Sequence, residues 1–334
     1  MLVDLTSTDY LYFSNPWWSS GLMKNTSVYG KLYFASGDIS TNMLQMMYAV
    51  FFNKTLADEY QLGDLYQLVI DDEWTLDKML TLAEGIYKDL NGDSQRDRDD
   101  QFGLMVYPVY VDGFYFASGL TTTNINKDGI PELSSDYTGE KIQDLLEKLC
   151  SFLYDTNDGF MPPYSDSDDF THGNILFYPD ELVKASTGLR DKTFGIGILP
   201  MPKYDENQED YYTLTSFPYS LYGIPVDAVD PNRASAVLEA LAAESYKTVT
   251  PALFETAMKV KYSEDENDAM VYDILKNTVV FDFGRVFNDS LSSLTYSMFR
   301  NSVINNDTNW TSTYAGKKDA LEAMLADVID KFEE

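Results

Sequence analysis

The segment whose residue types and spacing most clearly suit chemistry is Asp89-Leu90-Asn91-Gly92-Asp93-Ser94-Gln95-Arg96-Asp97-Arg98-Asp99-Asp100. Oxygen side chains stand at loop positions one, three, five, nine and twelve (Asp89, Asn91, Asp93, Asp97 and Asp100). Gln95, at position seven, offers its backbone carbonyl. A hard cation such as Ca²⁺ takes roughly six to eight oxygens, and this alternation wraps one turn of chain around it. The expected cofactor is therefore a structural Ca²⁺, clipping a helix end to a strand that begins at Phe102. Two positions depart from the pattern. Ser94 replaces the glycine that eases the sharp turn at position six, and Asp100 at position twelve reaches less far than glutamate. The competing reading is an acidic Asx-rich turn that holds no metal.

Other chemistries find little support. His172 is the single histidine and Cys150 the single cysteine. One cysteine forms no internal disulfide and supplies no paired zinc spacing. A Ser–His–Asp or Cys–His site would have to use His172, and nothing around it suggests one. The net charge of −30 repels phosphate backbones and anionic membrane surfaces, which argues against nucleic-acid partners. No run approaches the ~18 consecutive apolar residues of a membrane span. The opening Met-Leu-Val-Asp-Leu-Thr carries no basic segment followed by an apolar one, so these residues encode no signal peptide.

The elements that must position such groups alternate between two periodicities. Leu76, Met79, Leu80, Ala83, Ile86 and Tyr87 recur at helical spacing, with Thr75 placed to cap the start. Ile142, Leu145, Leu146, Leu149 and Leu153 form a second stripe. Ala234, Val237, Leu238 and Leu241 form a third, introduced by Asp230-Pro231, a cap followed by proline at the first helical position. Leu321, Met324, Leu325, Val328 and Ile329 form the last. All four are expected to face a core. Short apolar runs at Lys31–Ala35, Phe102–Val106, Ile175–Tyr178 and Phe194–Leu199 are expected as buried strands. Strands alternating with helices give an α/β class, and 334 residues favour two lobes over one core.

Several short motifs then resemble a known family in the expected order. Phe52-Asn53-Lys54 followed by Glu73-Trp74-Thr75-Leu76-Asp77-Lys78 is similar to the asparagine-lysine turn and tryptophan-threonine helix start of family 1 extracellular solute-binding proteins, the maltose-binding-like components of ABC importers. Tyr29-Gly30-Lys31-Leu32-Tyr33-Phe34, Phe170-Thr171-His172-Gly173-Asn174-Ile175-Leu176-Phe177 and Phe194-Gly195-Ile196-Gly197-Ile198-Leu199-Pro200-Met201-Pro202-Lys203 resemble further elements of that family, as do Pro16-Trp17-Trp18 and the acidic loop. Singly each motif is weak. The resemblance runs from about residue 10 to residue 330, nearly the whole chain.

This resemblance implies a two-lobe periplasmic-binding-protein-like (type II) α/β fold, with the ligand held between lobes that close on it. It implies extracellular location as a surface lipoprotein, an ABC permease as partner, a small and preferentially carbohydrate ligand, and no catalysis. It also implies that the first lobe is incomplete at the N-terminus. On that reading residues 1–38 are a remnant of the first lobe and 39–212 the second lobe. Residues 213–285 return to the first lobe, and 286–334 are C-terminal helices on the second.

Sugars present apolar C–H faces and a rim of hydroxyls, so binding them takes aromatic rings and planar polar groups. Family placement at strand ends and lobe crossings puts forward Asp38, Tyr107, Tyr110, Tyr178, Asp180, Glu181, Tyr219 and, on a late helix, Tyr296. Neighbours in an extended segment point to opposite faces, so at most one of Trp17 and Trp18 would face a cleft, and the family resemblance implies that they pack against the first lobe. Two rival functions stay open: a glycoside hydrolase using two carboxylates, and a calcium-dependent surface module that adheres to glycans.

Overall fold

The structure, a computed structural model, describes residues 1–163, 169–187, 189, 192–217, 219–253, 266–291 and 296–332; of Glu266, Tyr296 and Ser297 the backbone alone is described. Its centre is a mixed five-stranded sheet. The strands are β1 (Tyr48–Asn53), β2 (Phe102–Met105), β3 (Gly159–Phe160), β4 (Ile175–Glu181) and β5 (Ile196–Pro200). Their spatial order is β3-β2-β4-β1-β5. β2 runs parallel to β3 and β4, while β1 runs antiparallel to both of its neighbours. Tyr48 therefore lies opposite Glu181, and Phe51 opposite Tyr178. All six residues of β1 are buried, as expected of a strand with neighbours on both edges and helices over both faces.

The motifs that carry the family resemblance meet in this body. Asn53 caps the helix Lys54–Glu59 by accepting from the Leu56 amide, and its Nδ2 donates to the Gly173 carbonyl at 2.8 Å. The Lys54 amide donates to the Gly195 carbonyl. The Trp74 indole N–H reaches the Pro200 carbonyl at 2.8 Å. Lys203 donates its amide to the Trp74 carbonyl and accepts the Leu76 amide. Four dispersed segments thus satisfy one another's backbone groups. Gly197 is needed for the closest approach, since a Cβ there would stand 2.1 Å from the Phe52 ring.

Three helix stripes behave as expected. Thr75 caps Leu76–Ala83 by accepting from the Lys78 amide at 3.2 Å. That helix stops at Glu84, before Gly85 turns left-handed at φ 74°, so Ile86 and Tyr87 lie beyond it. Ile142, Leu145, Leu146 and Leu149 are buried on Glu140–Cys150, and Leu153 on the helical turn that extends it. Leu321, Leu325, Val328 and Ile329 are buried on Lys318–Asp330.

The third stripe is a correction. Asp230 caps Pro231–Glu244 by accepting from the Arg233 amide, but Val237 and Leu241 stay 53% and 51% exposed. Ala234 and Leu238 alone of the stripe pack against the small second cluster of Leu5, Leu11, Trp18, Ala35, Ile224 and Ala242. The helix has a packing layer beneath one side only, so half of its apolar face meets water.

One strand appears where none was expected, and one expected strand is absent. β1 lies in an apolar run that reads as interrupted in the sequence, and it proves to be central. Lys31–Ala35 forms isolated bridges rather than a strand, Lys31 with Val28 and Ala35 with Tyr222. Tyr29 and Gly30 turn left-handed just before it, and its Leu32 amide is taken by the Asp4 carboxylate at 3.1 Å. With that amide taken by a side chain, no ladder propagates.

Candidate functional site

The C-terminal ends of the parallel strands β2 and β4 point the same way, and the start of antiparallel β1 joins them there. This end of the sheet gathers five of the expected ligand residues. Tyr107 lies edge-on to Tyr178 at 6.0 Å and 6.4 Å from Tyr110, and Tyr110 meets Tyr48 edge-on at 5.0 Å. Tyr178 stacks on Phe170 at 5.1 Å. The hydroxyl of Tyr110 donates to Asp180, and that of Tyr107 to Asp169. Asp180 also accepts the Glu181 amide and pairs with Lys184 at 3.5 Å; Asp169 pairs with Arg98 at 3.1 Å.

Tyr107, Tyr110, Tyr178 and Asp180 are all buried, while Glu181 is half-buried. These rings therefore form a wall beneath the sheet end, and Glu181 is the member that reaches solvent. Burial raises the phenol pKa of Tyr110 and Tyr178 far above the usual range, with the Asp180 charge adding to it. Both phenols stay protonated donors at any physiological pH. Burial likewise raises the carboxyls of Asp169 and Glu181, opposed at Asp169 by the Arg98 charge and at Glu181 by a hydrogen bond from Ser216.

Three chain segments cross beside this wall. Ser36 Oγ donates to the Ser220 carbonyl, the Ser220 amide to Ser40 Oγ, Thr215 Oγ1 to the Met43 carbonyl, and the Ser216 amide to the Met46 carbonyl. Residues 36–47 thus run beside 215–217 and 219–222. A third segment joins through the parallel pairing of Thr213 and Leu214 with Val279 and Val280. Tyr219 lies on the second crossing, stacked parallel to Phe217 at 6.3 Å and edge-on to Phe281 at 5.7 Å. Phe217 is 42% exposed, so it offers apolar surface that the buried tyrosines do not.

Asp38 lies on the first crossing but engages other partners. It accepts from the Thr250 hydroxyl, and its carboxyl is raised by burial against the opposing pull of that bond and of the Lys276 charge. The side chain of Tyr296 lies outside the described residues; its backbone opens the helical turn Tyr296–Arg300.

Sequence reading missed Phe217, Tyr48 and Arg285. The aromatic density of Ser216-Phe217-Pro218-Tyr219 was a usable signal for the first. Arg285 had none, because its partner Asp112 is 173 positions away.

The acidic loop sits at the opposite end of β2. It is closed by a bridge between Lys88 and Gln101, immediately before Phe102. Ser94 adopts φ 61°, the left-handed turn that glycine provides at this loop position. The carboxylates and Asn91 hold the loop's own amides: Asp89 accepts from Gly92 and Ser94, Asn91 from Asp93, Asp93 from Gln95, and Asp97 from Asp99. Asp100 is fully buried and accepts from the Tyr87 hydroxyl and the Leu90 amide. Among the described residues no three carboxylate, imidazole or thiol groups converge as a metal cage. A loop tied at both ends and far from the aromatic wall suits a structural role.

Neither a family model nor a curated protein matches the sequence. Solved structures do match the fold. A substrate-binding protein of an ABC system from Listeria monocytogenes, in complex with cycloalternan, superposes with a TM-score of 0.61 at 16% identity, over 97% of this chain and 80% of its own. A cyclic α-maltosyl-1,6-maltose binding protein from Arthrobacter globiformis gives 0.64 at 12% identity, over 98% and 80%. The maltose/maltodextrin-binding domain of MalE from Bdellovibrio bacteriovorus, bound to maltotriose, gives 0.54 at 15% identity, over 92% and 76%. At such identities the likeness establishes the two-lobe α/β binding-protein fold. Among the described residues no helix is long and apolar enough to cross a membrane.

Proposed function

We propose that this chain captures an oligosaccharide between two lobes, as the solute-binding component of an ABC importer, and releases it unaltered to a membrane permease. One observation carries the reading: beside the side-by-side crossing segments stand both an exposed aromatic side chain, Phe217 backed by Tyr219, and a half-buried carboxylate, Glu181. A ring for the apolar sugar face and an acceptor for its hydroxyls are the two groups such a ligand needs. The fold is shared with proteins whose structures hold cycloalternan and maltotriose. Asp180 is hydrogen-bonded and ion-paired, which disfavours a free carboxylate pair and hence a hydrolase.

Crossing segments of this kind suit a hinge, with 39–212 as one lobe and 1–38 with 213–285 belonging to the other. A surface-anchored, extracellular setting follows from the proposed role. The test is a thermal-shift screen against linear and cyclic α-glucans and other oligosaccharides, with chromatography of each mixture. A saturable rise in melting temperature without new products is expected. Release of shortened glycans would establish the hydrolase instead, and retention on insoluble glycan without oligosaccharide binding would favour the adhesion module.

We further propose that the Asp89–Asp100 loop takes up Ca²⁺ through Asp89, Asn91, Asp93, Asp97, Asp100 and the Gln95 carbonyl. The left-handed backbone at Ser94 supports this reading. Titration calorimetry on chelator-stripped protein checks it: heat and a higher melting temperature are expected, and neither appears if the loop is an Asx turn alone.

A further inference from the structure

Two buried arginines meet one carboxylate between the helix Val111–Ala117 and the C-terminal part of the chain. Arg300 grips Asp112 with Nε and Nη2, and Arg285 reaches the same carboxylate through Nη1 alone. The Nε–H and Nη2–H of Arg285 are sealed from solvent and have no hydrogen-bond partner among the described residues, although Arg285 is 3% exposed. These two donors lie side by side on one edge of the planar guanidinium, the edge that matches a carboxylate bidentately. Asp282 does not fill the role. Its oxygens accept from the amides of Thr122, Thr123 and Arg285 and from the Thr122 hydroxyl.

The surroundings point outward to a ligand. Phe217 lies over the Arg285 guanidinium, 4.4 Å from its central carbon, and the same ring lines a neighbouring cavity of about 400 Å³ with Val286, Phe287, Asn288, Asp289 and Ser290, whose polar groups can meet sugar hydroxyls. The Tyr48 hydroxyl is buried beside Ser216. It is close enough to Arg285 that this charge is the main opponent of the burial that raises its pKa. Buried donors left unpaired are costly, and a charged donor most of all. Two guanidinium groups share the Asp112 carboxylate, and the second edge of Arg285 makes no hydrogen bond among the described residues.

We propose that the free edge of Arg285 is the anchor for the carboxylate of an acidic saccharide, a uronate, reached when the Phe217 ring swings aside. This rests on the capture function proposed above and names its ligand class. The carboxylate pairs with Nε–H and Nη2–H and leaves the sugar ring against Phe217. The overall charge of −30 slows approach of an anionic ligand, while a desolvated local pairing sets its affinity.

The test uses the full chain and ligand-side as well as protein-side changes. Calorimetry compares digalacturonate, its methyl ester and maltotriose. Digalacturonate is expected to bind at least tenfold more tightly than the uncharged ester, and Arg285→Gln is expected to remove that difference. Phe217→Ala keeps the Arg285–Asp112 pair and should speed association with digalacturonate several-fold in stopped-flow measurements. If Arg285→Gln fails to fold, the acid-to-ester ratio in the unmodified protein decides alone. Equal affinity for acid and ester, or an acid preference that survives Arg285→Gln, overturns the proposal. Binding of maltotriose but not digalacturonate overturns it while leaving saccharide capture intact, and binding of no saccharide overturns both.

Discussion

The helices Glu140–Cys150 and Pro231–Glu244 carry similar apolar stripes and meet different fates. The first buries Ile142, Leu145, Leu146 and Leu149 against the large core around the five-stranded sheet. The second leaves Val237 and Leu241 half exposed over a cluster of six buried residues. An apolar stripe records that a face is suited to burial; what covers it depends on layers contributed from elsewhere. The sheet body closes on itself. The layer formed by the N-terminal segment and Pro231–Glu244 is held more by polar ties, above all by Glu239. Its carboxylate accepts from Asn15 Nδ2 and from the indole N–H groups of both Trp17 and Trp18.

That contrast can be broken or sharpened by mutation. The largest effect is expected in the sheet body. Trp74 is fully buried and tied to Pro200, so Trp74→Ala should cost about 3–5 kcal/mol in urea unfolding. A loss under ~1 kcal/mol would mean that the core is far looser than its packing. Next comes Glu239→Ala, which strands four donors, the Tyr12 amide among them, and should cost about 1–3 kcal/mol. It should also shift indole fluorescence, because two of those donors are tryptophans. Unchanged emission would show that the layer does not depend on this carboxylate.

Acidity separates the regions more gently. Burial raises the carboxyls of Asp38, Asp169, Glu181 and Asp282 above their ordinary values. The folded state then holds protons that the unfolded chain has released, so stability falls as pH rises from the ordinary carboxylate range through the raised values. The melting temperature should therefore climb when pH is lowered from 7 toward 5, helped by relief of the net charge of −30. Glu181→Gln should flatten part of that slope, and an unaltered slope would remove Glu181 from the account. The smallest change is expected on the bare helix face, where Val237→Ser and Leu241→Ser should each stay within ~0.5 kcal/mol. The same substitution at Leu145 should be severe, and a large cost at Leu241 would mean that its face is covered in solution.

How much of this was legible beforehand follows from the range of each interaction. Caps are local, and Thr75, Asn53 and Asp230 all cap as their residue types suggest. The strands at Phe102, Ile175 and Ile196 were readable as short apolar runs between polar turns. β1 was not, because Met43–Phe52 gives no alternation when both faces of a strand are buried. Lys31–Ala35 misled because its amide went to the distant Asp4 carboxylate. Tyrosines that follow strand ends were put forward by position, and the structure gathers Tyr107, Tyr110 and Tyr178 at one end of the sheet. Their burial was hidden, since it depends on Phe170, Asp169 and Asp180 arriving from other segments. Arg285 was invisible for the same reason.

The central claim is that the crossing segments hold a saccharide beside Phe217 and Glu181. Calorimetric titration of the best ligand from the screen into the unmodified protein and into Phe217→Ala and Glu181→Ala tests it most directly. One saturable site is predicted, weakened about tenfold or more in Glu181→Ala and altered in Phe217→Ala, with the saccharide recovered intact. Absence of heat across the saccharide panel, or an isotherm that neither substitution moves, would contradict it.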